Sequence, residues 1–233
     1  MAIILALDTA TKRCSVALVD GARTLAFREE ESERHTHAER LNVFIQEVLN
    51  EARLTMAGLD AVAVGIGPGS YTGLRIGLSA AKGLCFALRI PLIGMSTLEV
   101  LLHELLAKDL AIPSDAVLMP MVDARRMEVF TFSMERGSAS PQAARPLVMD
   151  EDWLMSLPTD RTTVVFGDGA DKASELWTGR AHVMHVPGIR PSQAGLAVTA
   201  DAHYSMKAFS DLAYLVPDYG KPANVTQPRK RLG

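Results

Sequence analysis

Cysteine is almost missing from this chain: Cys14 and Cys85 are the two in 233 residues, and no ligand-spaced pair exists. With this usage, and with an opening (MAIILALD) that carries no charged leader ahead of a cleavable apolar segment, a cytoplasmic, reduced protein is expected. Long apolar runs are also lacking. Each candidate is broken by Gly, Lys or Asp well short of the roughly eighteen residues a bilayer crossing needs, so no membrane association is expected. Basic runs are absent before the last few residues and the formal net charge is −3. Strong sequence-independent nucleic-acid binding therefore lacks electrostatic support, and any such contact is expected to be indirect. What is present is ordinary: 48% apolar and 22% charged residues, which excludes a disordered or fibrous chain. The length suits two small lobes, each with its own core.

Residues 3–7 are apolar on both faces and end at Asp8, a polar turn follows, and residues 14–19 form a second apolar run. This reads as a β-hairpin whose first strand lies inside a sheet covered on both sides. Further strand-like sequence spans 24–28. Thr36 and Glu39 then have capping-box spacing, and Leu41, Phe44, Ile45, Val48 and Leu49 recur along one helical stripe. Residues 60–65 read as a buried strand and 66–73 (IGPGSYTG) as a loop leading into a helix over about 72–88. That helix is apolar almost all round, with Gly73, Gly77, Ala80 and Ala81 giving it a flat side that another helix could approach closely. The pattern then restarts. A strand over 117–122 ends at Asp123, a turn covers 124–126, and a second strand spans 127–134. Residues 162–166 and the following GDGA repeat the strand, glycine loop and helix of the first half. The best linker is 108–115, which divides the chain into lobes at 1–108 and 109–233, with a loop-like stretch over 137–146 inside the second.

The glycine loop admits two readings. Gly67, Gly69 and Ser70, with the helix start behind them, could offer backbone N–H groups to a phosphate or carboxylate. Equally, Gly67 and Gly69 permit a tight turn while Ser70 or Thr72 caps the helix. It is not a P-loop, because no Gly-Lys-Ser/Thr follows. It is a poor dinucleotide fingerprint too: Thr72 stands at the third small position, Pro68 removes a donor, and no acid lies about twenty residues on. Asp8 and Asp123 occupy equivalent hairpin positions, and could face each other across an interlobe cleft through a metal or serve as turn residues. His35, His37 and Glu39 suggest a chelating helix, but the set is incomplete and a solvated helix start explains it as well. Cys14 and Cys85 read as small buried residues. Arg229-Lys230-Arg231 reads as a solvated tail, with extended chain before it. No catalytic constellation emerges.

Four segments, ILALDTATKRCSVAL, the H-x-x-R-L of residues 37–41, VGIGPGSYTGLRIGLSAAKGL and MVDARRMEVF, resemble the signature sequences of the TsaB/YeaZ family. The likeness runs in order through most of 1–135 and more loosely through GDGA and a closing helix near 192–206. It implies an α/β, actin/Hsp70-like (ribonuclease H-like) duplicated fold, two lobes each with a mixed sheet flanked by helices, the last helix packing back on the first lobe. The resemblance also implies a non-catalytic subunit in making N6-threonylcarbamoyladenosine on ANN-decoding tRNAs. Its partners would be the paralogue TsaD and the ATPase TsaE, with a homodimer when alone and tRNA contacted only indirectly. No cofactor would be required, with weak ATP or ADP binding at the level of the complex. Vestigial nucleotide contacts would map to Asp8, Thr9, Gly67, Gly69, Ser70 and Asp123. The family's interface uses the first two helices, which here implies His37, Leu41, Phe44, Ile45, Val48, Gly73, Leu74, Gly77, Leu78 and Ala81. The alternative is a nucleotide-binding phosphotransferase or ATPase of the same superfamily. The tail departs from the family: Pro217-Asp218-Tyr219-Gly220-Lys221 stands where relatives often read Pro-x-Tyr-Leu-Arg.

Overall fold

The structure is a computed structural model, and it describes residues 2–32, 37–138 and 143–221. His35, Thr36 of the expected capping box and the basic run at 229–231 lie outside the described residues. Strands β1 (Ile3–Asp8), β2 (Arg13–Asp20) and β3 (Arg23–Glu31) form an antiparallel meander. After α1 (His37–Glu51), β4 (Ala61–Gly67) pairs parallel to β1, and after α2 (Tyr71–Leu88), β5 (Leu92–Ser96) pairs parallel to β4. The order is β3-β2-β1-β4-β5, with β1 in the middle. That position explains its composition: Leu5 and Leu7 pack with α1 and α2 on one side, while Ile4 and Ala6 fill the other.

Helix α3 (Thr97–Leu106) leads to the second lobe, and the plan repeats with shorter parts. Its elements are β6 (Val117–Asp123), β7 (Glu128–Thr131), β8 (Met134–Glu135), β9 (Arg145–Val148), α4 (Glu151–Met155), β10 (Thr163–Phe166), α5 (Asp168–Asp171), α6 (Ser174–Trp177), β11 (Val183–Val186) and α7 (Gln193–Ser205). The strand order β9-β7-β6-β10-β11 reproduces that of the first sheet, with β8 paired beside β6. The expected second strand over 127–134 is interrupted into β7 and β8, and the turn before it holds Arg125 and Arg126 at φ 70° and 50°.

The helices between the sheets are exchanged. Leu98, Leu101, Leu102 and Leu105 of α3 pack on the second sheet with Leu118, Val164 and Phe166. Leu196, Ala197 and Ala200 of α7 pack on the first sheet with Ile4, Ala6, Ala61 and Ala63. The two helices cross closely at Gly195, where a Cβ would meet the Val100 carbonyl. The crossing is pinned by Thr199 Oγ1, 2.8 Å from His103 Nδ1, and by His203 Nε2, 3.0 Å from Glu99 Oε1. Among the described residues no helix is long and apolar enough to cross a membrane.

Candidate functional site

Asp8 ends β1 where the chain turns toward β2. Its Oδ1 accepts the Ala10 N–H at 3.0 Å, the bond expected of a turn residue. The side chain is fully buried, and Oδ2 has no hydrogen-bond partner among the described residues. Neighbouring Gly65 on β4 leaves room for it, since a Cβ there would collide with Oδ2. Burial pushes the Asp8 acid up to about 7; the Ala10 N–H pulls it down, and the nearby Asp168 carboxylate adds to the rise.

Asp123 ends β6 in the equivalent place, but its carboxylate accepts the Arg125 N–H at 2.8 Å and pairs with Lys172. Its own N–H donates to Asp168 Oδ1 at 3.0 Å. The carboxyl group that acts on Asp8 from the second lobe is therefore Asp168, the first residue of α5, in place of the expected Asp123. Asp168 is half-buried, and the loss of water around its carboxyl group raises its acid, with the Asp123 N–H and the charge of Arg190 opposing. Sequence reasoning passes over Asp168, although the GDGA echo of the first lobe's glycine loop marks its position. Among the described residues no group of three or more His, Cys, Asp or Glu is placed to hold a metal ion.

The glycine loop is bound up with its own surroundings. Ser70 caps α2, its Oγ accepting the Gly73 N–H at 3.3 Å, while its N–H donates to the Ala10 carbonyl at 2.6 Å. Buried Thr9 donates from Oγ1 to the Gly73 carbonyl at 2.7 Å. A Cβ on Gly69, Gly73 or Gly77 would run into Ala10, the Thr9 carbonyl or Thr9 Oγ1. The flat side of α2 is thus filled by this chain's β1–β2 turn and not by an incoming helix. Gly67, at φ 121°, lies against the Asp218 carbonyl.

The residues assigned to a partner interface need the same correction. His37, Leu41, Phe44, Ile45 and Val48 of α1, and Gly73, Leu74, Gly77, Leu78 and Ala81 of α2, are all buried inside this chain. Most of them join Leu5, Leu7, Val16 and Val64 in one core, and His37 Nε2 sits 2.8 Å from the Thr11 carbonyl. An apolar stripe reports which side of a helix is covered; it does not report whether the cover comes from its own sheet or from a second chain. The surface left open is the opposite side of α2. Phe86 is 79% exposed there, Ser79 and Gly83 are exposed on the same side, and nothing lies within 4 Å of a Cβ placed on Gly83. Beside it a shallow cavity of about 620 Å³ is lined by Cys85, Phe86, Ala87, Arg89, Ile90 and Leu212. Both thiols are buried, which pushes Cys14 up to about 12 and Cys85 up to about 11, far from a nucleophile's range.

A family model described as TsaD, tRNA N6-adenosine threonylcarbamoyltransferase, matches residues 30–165. The chain is 36% identical over 133 residues to the threonylcarbamoyladenosine biosynthesis protein TsaB of Escherichia coli, covering 57% of this chain and 55% of that one. It thus spans about half the length of that relative. Against TsaB of Bacillus subtilis it is 31% identical over 165 residues, covering 70% of this chain and 69% of the relative. Among solved structures, YeaZ from Pseudomonas aeruginosa superposes with a TM-score of 0.77 at 25% identity, covering 94% of this chain and all of that one. A polyphosphate/ATP-glucomannokinase from Arthrobacter, at 14% identity and a TM-score of 0.52, shares the fold alone. The duplicated sheets, the glycine loop and these likenesses agree that the chain has the actin-like fold and belongs to the TsaB/YeaZ family.

Proposed function

We propose that this chain is a non-catalytic subunit in tRNA threonylcarbamoyladenosine biosynthesis, docking its paralogue TsaD through the outer face of α2. The observation that carries the reading is Phe86: a large apolar side chain standing 79% exposed on α2, with Gly83 one turn before it and exposed Ala87 beside it. Such a surface suits close approach by a partner helix, and an exposed aromatic anchor beside a shallow cavity is the usual centre of an interface. The names of the relatives supply the pathway. A pseudo-enzyme role fits Asp8, whose buried carboxyl group resists ionisation and already accepts the Ala10 N–H, which suits a structural turn better than a metal-bearing charge. In this reading TsaE is a further partner, tRNA is met through the assembly, and the isolated chain self-associates over the same face.

The test is association with cognate TsaD measured by calorimetry, using Phe86→Asp and Gly83→Arg. The Gly83 site has open space around it, so the arginine leaves the fold intact while its bulk blocks the surface. Each change is expected to weaken binding by about a hundredfold, typical of a central anchor. Unchanged affinity in both variants overturns the docking face. The competing phosphotransferase reading requires ATP turnover with Mg²⁺ by the pure chain, abolished by Asp8→Asn.

A further inference from the structure

The last described residues, 210–221, form no helix and no strand ladder, yet they touch both lobes. The segment starts at the edge of the first sheet, where the Ser210 N–H donates to the Leu92 carbonyl at 2.8 Å and Ser210 Oγ accepts the Gly94 N–H at 3.1 Å. It then runs back along one flank of α2. Leu212 and Leu215 pack on the first core, and Lys82 Nζ donates to the Ala213 carbonyl at 3.2 Å. At the far end of α2 the Asp218 N–H donates to the Ile66 carbonyl at 2.7 Å, and Gly67, having no Cβ, admits the Asp218 carbonyl.

Three consecutive residues then carry the chain from one lobe to the other. The Tyr219 ring stacks on Tyr71 with centroids 4.7 Å apart, and its hydroxyl accepts from Arg75 Nε at 2.9 Å. The Arg75 guanidinium lies 4.0 Å from the Tyr71 ring centre and 6.0 Å from that of Tyr219, so this corner is a three-membered cation–π cluster on the first lobe. Gly220, at φ 66°, lies flat on the Phe130 ring of β7, where any Cβ would collide. Lys221 pairs with Glu128 at the start of β7 and stands 5.6 Å over the same Phe130 ring. The sequence departure at this point has a physical reason: a residue larger than glycine at 220 would lift the chain off the second lobe.

We infer that residues 217–221 are an interlobe latch. Tyr219 is its hold on the first lobe, Lys221 its hold on the second, and their release lets the lobes separate at the end of β4 beside Asp8 and Asp168. The contacts suit a reversible clasp. They are half-buried, they rest on one ring stack, two hydrogen bonds and one ion pair with its cation–π contact, and they hold chain with no regular structure, which places the segment at the low end of local stability. The charged contact to Glu128 makes the second hold sensitive to salt.

The experiment uses the full chain with spin labels on Ser79→Cys of α2 and Glu175→Cys of α6, both exposed, while Cys14 and Cys85 stay buried and unlabelled. Pulsed dipolar spectroscopy should give one narrow distance distribution in this parent. Tyr219→Ala with Lys221→Ala should add a longer population, and hydrogen exchange at the Asp218 amide should quicken by about tenfold. Lys221→Glu alone should reproduce the broadening, and Lys221→Glu with Glu128→Lys should restore the narrow distribution, which a merely destabilised fold would not do. An unchanged distribution in the double alanine variant, or a broadening that the charge swap leaves in place, overturns the latch.

Discussion

Replacing Asp8 with asparagine isolates the energetic consequence of a buried acid. In the folded chain the group ionises at about 7, against 3.8 for the ordinary value, and burial is the main cause. Between those values the native chain keeps a proton that the unfolded chain releases. Stability must then fall as pH rises through that window and level off above it. Each pH unit between the two values is worth about 1.4 kcal/mol, so the whole effect has a ceiling of roughly 4 kcal/mol. Asp8→Asn keeps the acceptor for the Ala10 N–H but places an NH₂ where Oδ2 has no partner, at a cost of about 1–3 kcal/mol that does not vary with pH. Urea unfolding followed by circular dichroism from about pH 4.5 to about pH 7.5 separates the two. The variant should begin less stable than the parent and gain on it by about 3 kcal/mol across the range. The gain should end near neutrality. Curves for variant and parent that stay parallel within about 0.5 kcal/mol would refute the argument, because the native carboxyl group would then ionise as freely as the unfolded one.

The two ends of α2 predict opposite responses to the same substitution. Gly83→Ala, with open space for its Cβ, should stabilise the protein by about 0.5–1 kcal/mol, whereas Gly73→Ala drives a methyl into the Thr9 carbonyl and should cost about 1–3 kcal/mol or more; equal urea midpoints would refute the pair. His203 is raised by its bond to Glu99, so that contribution is complete below 6.5 and fades as pH climbs through the higher folded value. His203→Gln should therefore cost about 1 kcal/mol near pH 5.5 and close to nothing near pH 8.5, and a cost that grows with pH would contradict the sign. Cys14 and Cys85 should resist a thiol reagent at about pH 8 until the chain is unfolded, as burial holds both thiols protonated; fast labelling of the native protein would show the core to be open.

The first lobe is largely legible from sequence because its signals are long and periodic. The β1–β2 hairpin, α1, β4 and α2 all fall within a few residues of their expected bounds. The second lobe is written in short words: β9 is a four-residue strand containing Pro146, α4 has five residues, and α5 and α6 have four each, too few for a period to show. Helix α3 escapes notice because both its sides are covered: TLEVLLHELL turns its leucines to the second sheet and its short polar line, Glu99 and His103, to α7. At the site, Asp8 and Ser70 are found because each stands next to a recognisable strand end or helix start. Asp168 is missed because its importance depends on where a second sheet brings α5. The helix positions assigned to a partner prove to be the covered ones for a related reason: greasiness identifies a covered surface, whereas exposed Phe86 is found only by seeing what is left uncovered.

The traded helices between the sheets have a consequence for dissecting the molecule. Severing the connection after Lys108 would leave the N-terminal fragment with a bare surface of Ile4, Ala6, Ala61 and Ala63 and with the leucines of α3 hanging in water. The C-terminal fragment would carry the matching deficit and the matching surplus. Neither half is a portable module, yet each holds the piece the other wants, so the two should rejoin when mixed. The link around residues 108–115 is accordingly where this protein should be split to build a complementation reporter.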